Sequence, residues 1–483
     1  MIGDALDRLP PGWTETTLGE AFEWGSGGTP SSGVARYYGG DIPWVVIGDL
    51  TDGPVTRSET CITQEGLRNS SAKWVEPGSV LIAMYGSIGK LGLASVPLTT
   101  NQAIAFTKPH LISARYLFWY LRHCRGLLYS LGKGGTQRNI SQTVIKSVPF
   151  LLAPLPEQHR IVAAIEEQFT RLDAAVASLE RARATFKRYR AAVLAAACSG
   201  RLVPTEAELA RAEGREYESA TQLIDQISPK LNAQSNGRPS SNAISDTDDL
   251  PALPEGWSWA TWEQLTRRVT VGHVGPMKSE YVATGVPFLR SQNVRENRFE
   301  PTGLLYITAK FHAKLSKSRI EPGDLAVVRS GSVGVTCVIP DYLGEANCAD
   351  LVLIQRPHGV DPRYGSFYMN SLARGAIKAG QVGSALIHFN TRSVAALPIA
   401  LPPLAEQHRI VTEVERCLSI TDELEATIAT NLKRAERMRQ SILRRAFEGK
   451  LVPQDPTDEP ATVLLDRLRA GQTARTSARL SGT

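Results

Sequence analysis

The chain repeats one series of short motifs in the same order. Three of the pairs are LPPGWTETTLGE from Leu9 with LPEGWSWATWEQL from Leu253, EPGSVLIAMYGSIG from Glu76 with EPGDLAVVRSGSVG from Glu321, and PLPEQHRIV from Pro154 with PLAEQHRIV from Pro403. Collinear matches of this kind do not arise by chance. The chain is therefore a tandem duplication that must fold as two copies of one structural unit, and the period is far too long for a solenoid of small repeats.

The two copies differ most in the middle of each globular part. Residues 26–38 barely resemble their counterpart, residues 273–281, whereas the flanking motifs match well. A shared scaffold with divergent inserts is what two domains that recognise different ligands would show. Neutral drift in surface loops gives the same pattern and stays open as the alternative.

Each copy begins with a globular α+β part, over residues 9–152 and 253–401. Strands after Pro-Gly turns are mixed with helices of regular apolar periodicity in both. The predicted strands are residues 80–84 and 325–328, and the predicted helices are residues 114–130 and 363–378.

A long helix with a heptad pattern follows each globular part. Pro154 and Pro156 mark the start of the first helix, and Gly200 and Gly449 mark the ends of the two helices. Each helix would be about 60 Å long. The predicted apolar seams are Ile165, Phe169, Leu172, Val176, Leu179, Phe186 and Val193 in the first helix, and Val414, Leu418, Leu424, Ile428, Ala435, Met438 and Ile442 in the second, which Thr421 and Asn431 interrupt.

Such long amphipathic helices need partners. If they pair with each other, the second helix returns along the first, and the result is an antiparallel coiled coil with approximate two-fold symmetry. Pairing with the helices of another protein remains open. A parallel arrangement also remains open, because residues 229–249 form a linker rich in Ser, Asn and Pro.

Positive charge is concentrated in part of each copy. The net charge is only +6, yet no Asp or Glu occurs between Pro77 and Pro156, and Asp361 is the one acid between Leu351 and Ala405. Surfaces of one sign attract phosphate, Arg can recognise guanine, and Asn or Gln can recognise adenine. The Gly-rich residues 132–139 are a candidate DNA-facing loop, and a solvated basic face with a tight turn is the alternative.

These considerations give two sets of candidate site residues. The DNA-binding candidates are Lys90, Lys133, Gln137, Arg138, Asn139, Arg290, Gln292, Asn293, Lys314, Lys317, Arg329 and Arg392. The candidates for a subunit interface at the helix starts are Glu157, Gln158, His159, Arg160, Glu406, Gln407, His408 and Arg409.

Catalytic, metal and targeting motifs are not found. The chain lacks the GxxxxGK[ST] and HExxH patterns, and its six cysteines form no CxxC pair, which indicates reduced thiols rather than a metal site. Asp361-Pro362-Arg363-Tyr364 faintly resembles the catalytic tetrapeptide of adenine methyltransferases, but we predict a turn that opens a helix. The polar start of the chain and the absence of a long apolar run predict a cytoplasmic protein without membrane contact.

Several of these motifs together resemble one known family. Gly28-Thr29-Pro30, the segment around Tyr38, EPGSVLIAMYGSIG, PLPEQHRIV and GRLVP are similar to the specificity subunit of type I restriction–modification systems. The resemblance covers nearly the whole chain and both copies. The Gly-Thr-Pro motif is replaced by Val274-Gly275-Pro276 in the second copy, so the two loops need not share one geometry.

The resemblance implies two tandem α/β target recognition domains, each followed by a helical spacer, that recognise the two halves of a split site in double-stranded DNA. The implied parts are recognition domain 1 (1–153), spacer 1 (154–204), a short helix and linker (205–250), recognition domain 2 (251–402), spacer 2 (403–454) and a short C-terminal helix with a tail (455–483). Two methyltransferase and two restriction subunits would dock on the chain. They would carry S-adenosylmethionine, ATP and Mg²⁺, and the chain itself would hold no cofactor and no metal.

Two other functions remain as alternatives. A self-contained methyltransferase or nuclease would modify or cut DNA without partners. A coiled-coil scaffold with protein-binding domains would show no salt-sensitive binding to DNA.

Overall fold

A computed structural model describes residues 9–108, 110–134, 138–234, 250–373 and 390–481. The chain divides into two compact units: unit 1 comprises Met1–Glu180 and Ala429–Thr483, and unit 2 comprises Arg181–Ile428. Each unit contains one globular domain and parts of both long helices.

Unit 1 opens with a mixed α/β domain. Its strands are β1 (Thr14–Thr17), β2 (Trp24–Ser26), β3 (Tyr38–Val45), β4 (Gly53–Val55), β5 (Cys61–Ile62), β6 (Trp74–Val75), β7 (Val80–Ala83), β8 (Leu91–Ala94), β9 (Leu98–Thr100), β10 (Ile104–Thr107) and β11 (Pro149–Leu152). Its helices are α1 (Leu18–Ala21), α2 (Gln64–Arg68), α3 (Ala114–His123), α4 (Arg125–Leu131), α5 (Gln142–Lys146) and the start of the long helix α6 (Leu155–Ala197), with 3-10 turns at Ala35–Tyr37 and Ile47–Asp49.

The described residues of this domain form three sheets. A five-stranded sheet has the order β2-β10-β7-β8-β4, a four-stranded sheet has the order β5-β3-β9-β6, and β1 pairs with β11 in antiparallel register. In the predicted strand at residues 80–84, the structure has β7. A single helix was predicted over residues 114–130. The structure has two helices there, because the helix is interrupted at Cys124, between α3 and α4.

Unit 2 repeats this plan. It contains α7 (Glu206–Glu213), α8 (Ala220–Gln234), β12 (Ser258–Thr261), α9 (Trp262–Leu265), β13 (Thr266–Val271), β14 (Tyr281–Val282), β15 (Val286–Leu289), β16 (Val294–Arg295), β17 (Arg298–Phe299), β18 (Leu305–Ile307), α10 (Ala309–Lys314), β19 (Arg319–Ile320), β20 (Leu325–Val328), β21 (Thr336–Val338), β22 (Ala346–Cys348), β23 (Leu351–Pro357), α11 (Pro362–Tyr368), α12 (Thr391–Ala395), β24 (Pro398–Leu401) and the start of the long helix α13 (Leu404–Phe447). The 3-10 turns are Lys278–Glu280, Ser291–Asn293, Ser316–Ser318 and Asp341–Leu343, and a π-helical turn covers Met369–Ala373.

The sheets of unit 2 have the orders β13-β23-β20-β21 and β14-β18-β15-β22-β19, with small pairs β12-β24 and β16-β17. Asp361 caps the N-terminus of α11 by accepting a hydrogen bond from the backbone N–H of Arg363. The prediction that this tetrapeptide opens a helix is therefore confirmed. The helix predicted over residues 363–378 is α11 with the π-helical turn, and its last residues lie outside the described ones.

The two long helices pack antiparallel within each unit. In unit 1, Arg160 near the start of α6 pairs with Asp458, and Asp173 further along α6 pairs with Arg439 near the end of α13. In unit 2, Arg190 near the end of α6 pairs with Glu425 of α13 at 3.2 Å. This confirms the predicted antiparallel coiled coil and the fold class, α+β with a long helix after each domain.

The seam of the second helix differs from the prediction. Leu424 and Met438 are exposed, and Thr421 is buried in their place. The Thr421 hydroxyl donates to the backbone oxygen of Cys417 at 2.7 Å, so its burial leaves no donor unsatisfied. The buried stripe is Val414, Thr421, Ile428, Ala435 and Ile442, which follows an unbroken spacing of seven.

Both long helices end at glycines that no other residue could replace without strain. Gly200 and Gly449 have φ of +69° and +67°, the left-handed region. A Cβ at Gly200 would lie 2.4 Å from Cγ of Pro254, and a Cβ at Gly449 would lie 2.3 Å from Cγ of Pro10. Each helix end is thus packed against the first residues of the domain in its own unit.

The segments that follow the long helices complete the two domains. In unit 1 the backbone N–H of Ala461, the first residue of α14 (Ala461–Ser481), donates to the oxygen of Gly12 at 2.8 Å. In unit 2 the N–H of Ala220 donates to the oxygen of Gly256 at 2.9 Å. Side chains of α14 join the main core of unit 1, and side chains of α8 join that of unit 2.

Candidate nucleic-acid interface

A 3-10 turn lies beside a hairpin in both domains. In unit 1 the turn Ile47–Asp49 is capped by Asp49, whose carboxylate accepts from the N–H of Val46 at 2.8 Å. In unit 2 the turn Ser291–Asn293 is capped in the same way by Asn293, whose side-chain oxygen accepts from the N–H of Arg290 at 3.0 Å. The hairpins are β7–β8 and β20–β21, which carry the duplicated EPG motif.

Lys90 joins the turn and the hairpin of unit 1. Its Nζ donates to the backbone oxygens of Ile47 at 3.0 Å and Gly48 at 3.4 Å. Lys90 was predicted to contact DNA, but in the structure its ammonium group is hydrogen-bonded to backbone oxygens of its own domain. In unit 2 a groove of about 350 Å³ lies between turn and hairpin, lined by Ser291, Gln292, Val294, Arg295, Glu296, Val328, Ser330, Ser332 and Val335.

The Gly-rich loop of unit 1 is closed by a small ladder. Lys133 and Asn139 exchange backbone hydrogen bonds of 2.9 and 2.8 Å, and Asn139 also forms a bridge with Tyr85 of the hairpin loop. The Arg138 guanidinium lies 5.0 Å from the ring centroid of Tyr129, a side chain that is 53 % exposed. Lys133, Arg138 and Asn139 are all exposed. Gln137 lies outside the described residues.

The acid-free stretch of the sequence does not form an acid-free surface. Carboxylates from elsewhere in the chain reach its basic side chains: Arg115 pairs with Glu166 of α6 at 2.8 Å, and Lys108 pairs with Glu23. Arg125 forms a two-pronged pair with Asp52. Burial opposes ionisation of Asp52, but the hydrogen bonds from Arg125 and from the backbone N–H of Leu91, together with the charges of Arg125 and Arg122, lower the pKa of that carboxyl. Three of the basic side chains within residues 77–156 are therefore paired with acids from outside that stretch.

The predicted DNA contacts of unit 2 fall into two groups. Asn293 is fully buried, and its amide nitrogen donates to the oxygen of Glu300 at 2.9 Å, so the side chain holds the turn together. Gln292 and Arg290 donate to the oxygen of Gly303 at 3.0 and 3.4 Å, and Arg329 pairs with Asp350 at 3.3 Å. Among these candidates, Lys314, Lys317 and Arg392 are exposed and form no ion pair with another described residue.

The EQHR motif anchors each long helix to its own domain. The carboxylates of Glu157 and Glu406 are buried and accept from the indole N–H of Trp13 at 3.0 Å and Trp257 at 2.9 Å. Burial raises the pKa of both carboxyls above the ordinary range. These glutamates are therefore internal, and they cannot offer a surface to another subunit.

The glutamines of the motif are also internal. Gln158 accepts from the N–H of Ser113 at 3.1 Å, and Gln407 accepts from the N–H of Asp361 at 2.7 Å. Arg160 and Arg409 pair with acids of the segments that follow the long helices, Asp458 and Glu206, both at 2.6 Å. Only His159 and His408 of this motif are exposed in the described part of the chain.

One cationic feature was missed by the sequence analysis. A cleft of about 830 Å³ in unit 1 lies between α3–α4 and the last turns of α13, and we call it the arginine cleft. Its arginines come from two distant segments of the chain, so no single window of sequence shows the cluster. They are Arg122, Arg125, Arg437, Arg439 and Arg444.

Within the described residues, no three or more His, Cys, Asp or Glu side chains are grouped so that they could hold a metal ion. The described part of the chain also has no helix that is long and apolar enough to cross a membrane.

Comparison with known proteins gives consistent matches. The model of the type I restriction modification DNA specificity domain matches residues 10–179 and 275–434. The specificity subunit of the type I restriction enzyme EcoDI of Escherichia coli is 22 % identical over 97 % of this chain and 97 % of its own length. That of EcoBI, also of Escherichia coli, is 21 % identical over 90 % of this chain and 86 % of its own.

Solved structures share the fold. A chain from a study of complex assembly and conformational transition of the type I R-M system aligns with a TM-score of 0.64 at 19 % identity, covering 92 % of this chain and 99 % of that one. The HsdS subunit of Thermoanaerobacter tengcongensis aligns with a TM-score of 0.50 at 17 % identity, again over 92 % of this chain and 99 % of that one.

Proposed function

Because the chain belongs to the family of type I restriction modification DNA specificity domains, we propose that its two recognition domains each bind one half of a split site in double-stranded DNA. The observation that carries this proposal is the duplication. Both domains present a capped turn beside an EPG hairpin, and both are fixed to a long helix by the same Trp–Glu contact. The loops around these shared elements differ, which suits two different half-sites.

Exposed cations support a role for these surfaces in binding phosphate. Lys133 and Arg138 in unit 1, and Lys314, Lys317 and Arg392 in unit 2, are exposed. Phosphate contacts supply affinity without sequence preference, and bases are distinguished by side chains in the grooves. Since each wrong base pair costs about 1–3 kcal/mol, two half-sites multiply the specificity that one domain could reach.

In this proposal, the chain has no catalytic role of its own. Two methyltransferase subunits would dock on it and methylate adenines with S-adenosylmethionine, flipping each target base into their own pockets. Two restriction subunits would add ATP- and Mg²⁺-dependent cleavage. The exposed His159 and His408 at the helix starts are candidates for docking residues, because the rest of their motif is used inside each unit.

A domain exchange tests the split recognition. Residues 253–401 would be replaced by the matching domain of another family member, and the host genome would be sequenced with detection of methylated bases. We expect one half of the methylated sequence to change and the other half to stay. A change in both halves, or in neither, would contradict recognition by separate domains.

A second measurement separates this proposal from its alternatives. The purified chain alone, given S-adenosylmethionine or Mg²⁺ with ATP, should neither methylate nor cut DNA, whereas a self-contained enzyme would do so. A protein-binding scaffold predicts no salt-dependent binding to duplex DNA, so titration of a duplex at several salt concentrations distinguishes it from a DNA-binding subunit.

A further inference from the structure

The arginine cleft of unit 1 carries far more positive than negative charge. Its lining includes five arginines and His123, and Glu436 is the only acid among the described residues that line it. Two of the arginines are neutralised nearby: Arg125 pairs with Asp52, and Arg439 pairs with Asp173 and, at 3.5 Å, with Glu436.

The other arginines of the cleft form no ion pair with a described residue. Arg437 and Arg444 project from exposed positions of α13. Arg122 is half-buried, with its guanidinium 5.2 Å from the ring centroid of Trp119 and 5.5 Å from that of Phe169. Burial lowers the pKa of Arg122; the charge of Asp52 and that of Glu436 oppose this effect, and the charges of Arg125 and Arg439 add to it. Like charges held this close favour a bound anion.

The charge of the cleft is not needed to build the fold, as unit 2 demonstrates. Tyr116 of α3 and Tyr364 of α11 are equivalent, since their hydroxyls donate to the oxygens of Leu151 and Ala400. Counting on from them, the position of Arg122 is occupied by Asn370.

The same holds on the long helix. Counting back from the equivalent glycines that end the two helices, Arg444 corresponds to Ala195, whereas Arg437 corresponds to another arginine, Arg188. Asn370 is buried and donates to the oxygen of Thr336 at 2.8 Å. The duplicated scaffold therefore folds with neutral residues at two of the cleft positions.

We propose that the arginine cleft binds phosphate groups. Guanidinium groups match phosphate oxygens in geometry and charge, and the cleft has room for more than one phosphate. Tyr129 lines the cleft, and the guanidinium of Arg138 in the Gly-rich loop stacks on the Tyr129 ring. The cleft therefore adjoins the candidate DNA-facing loop. This adjacency favours, as the ligand, the backbone phosphates of the DNA bound by recognition domain 1, and this assignment rests on the proposed function. A free polyphosphate has the same chemistry and is the other source that the test distinguishes.

The test uses the full chain with the double variant Arg437→Ala/Arg444→Ala and, separately, Arg122→Asn, which installs the residue found in unit 2. Arg188→Ala is the matched control, because it removes the equivalent charge from the other unit. Thermal unfolding verifies that each variant is folded. Binding of a duplex of arbitrary sequence is measured over a range of salt concentrations, and binding of inorganic tripolyphosphate is measured by calorimetry.

If DNA phosphates occupy the cleft, the slope of log K against log salt becomes shallower by about 0.9 for each lost contact, hence by roughly 2 in the double variant. If a free polyphosphate is the ligand, the DNA slope stays unchanged and tripolyphosphate affinity falls at least about tenfold. Either result, absent in Arg188→Ala, supports the proposal. Variants that match the wild type in both measurements would overturn it.

Failure of the proposed function gives a different result. A wild-type chain that binds no duplex at any salt concentration would remove the DNA-recognition proposal. The tripolyphosphate titration would still decide the cleft: affinity that depends on Arg437 and Arg444 supports it, and no affinity overturns it.

Discussion

The indole N–H of Trp257 donates a 2.9 Å hydrogen bond to the buried carboxylate of Glu406, 149 residues further along the chain. The other carboxylate oxygen of Glu406 accepts from the backbone N–H of Glu206 at 2.8 Å. One side chain thus joins the start of recognition domain 2, the start of α13 and the segment after α6. This explains in physical terms why the GW and EQHR motifs occur together in each copy.

Loss of the Trp257 donor should destabilise unit 2. The variant Trp257→Phe leaves a buried carboxylate oxygen without its partner and removes part of a side chain that is 7 % exposed. We expect the free energy of unfolding to fall by about 2–4 kcal/mol, measured by urea denaturation. The matched control is Trp259→Phe, since Trp259 is half-buried and donates to the oxygen of Pro251. An equal decrease of the unfolding free energy in both variants would show that the Trp257–Glu406 hydrogen bond does not stabilise unit 2 more than the Trp259 contact does.

Asp324 should make the stability of unit 2 depend on pH. It is buried ahead of β20 and accepts from the N–H groups of Glu321 at 3.0 Å and Arg356 at 2.9 Å. Burial raises the pKa of Asp324 to about 6 from its usual 3.8. Between pH 3.8 and about 6, Asp324 is therefore protonated in the folded state and ionised in the unfolded state. The stability that this bound proton contributes to the folded state is fully present below pH 4 and is lost as the pH rises through 6.

The variant Asp324→Asn tests this pH dependence, because it removes the titration. The difference in unfolding free energy between wild type and variant should shift in favour of the wild type by roughly 2–3 kcal/mol on acidification from pH 7 to 4. Asp341→Asn, at an exposed position, is the matched control for the exchange of a carboxylate for an amide. A constant difference across the pH range would mean that Asp324 titrates normally.

Removal of two exposed cations from the Gly-rich loop should weaken DNA binding in a salt-dependent way. For Lys133→Ala/Arg138→Ala we expect weaker binding to a duplex and a slope of log K against log salt that is shallower by roughly 1–2. The control Lys433→Ala/Arg434→Ala removes two exposed charges from α13 outside the arginine cleft. If the slope of the loop variant equals that of the wild type, the loop does not contact phosphate.

The sequence predicted what depends on local pattern. The duplication, the long helices, their glycine ends and the helix opened by Asp361 all follow from periodicity and capping. The sequence could not predict where charges meet, because the partners of Arg115 and Arg125 come from distant segments. Asn293 was a plausible base contact by residue type, but its turn buries it. Thr421 was taken as a break in the seam, although its hydroxyl is satisfied by its own helix.

A change in helix length should alter the distance between the half-sites. One heptad inserted into each long helix keeps the buried stripe in phase and lengthens both helices by about 10 Å. If the paired helices set the separation of the two recognition domains, the unspecified spacer in the methylated sequence should grow by about three base pairs, at about 3.4 Å each. A heptad inserted into α6 alone is the control: it shifts the facing residues out of register and should lower thermal stability. An unaltered spacer in the double insertion, with both half-sites still methylated, would refute the role of the helices as the ruler.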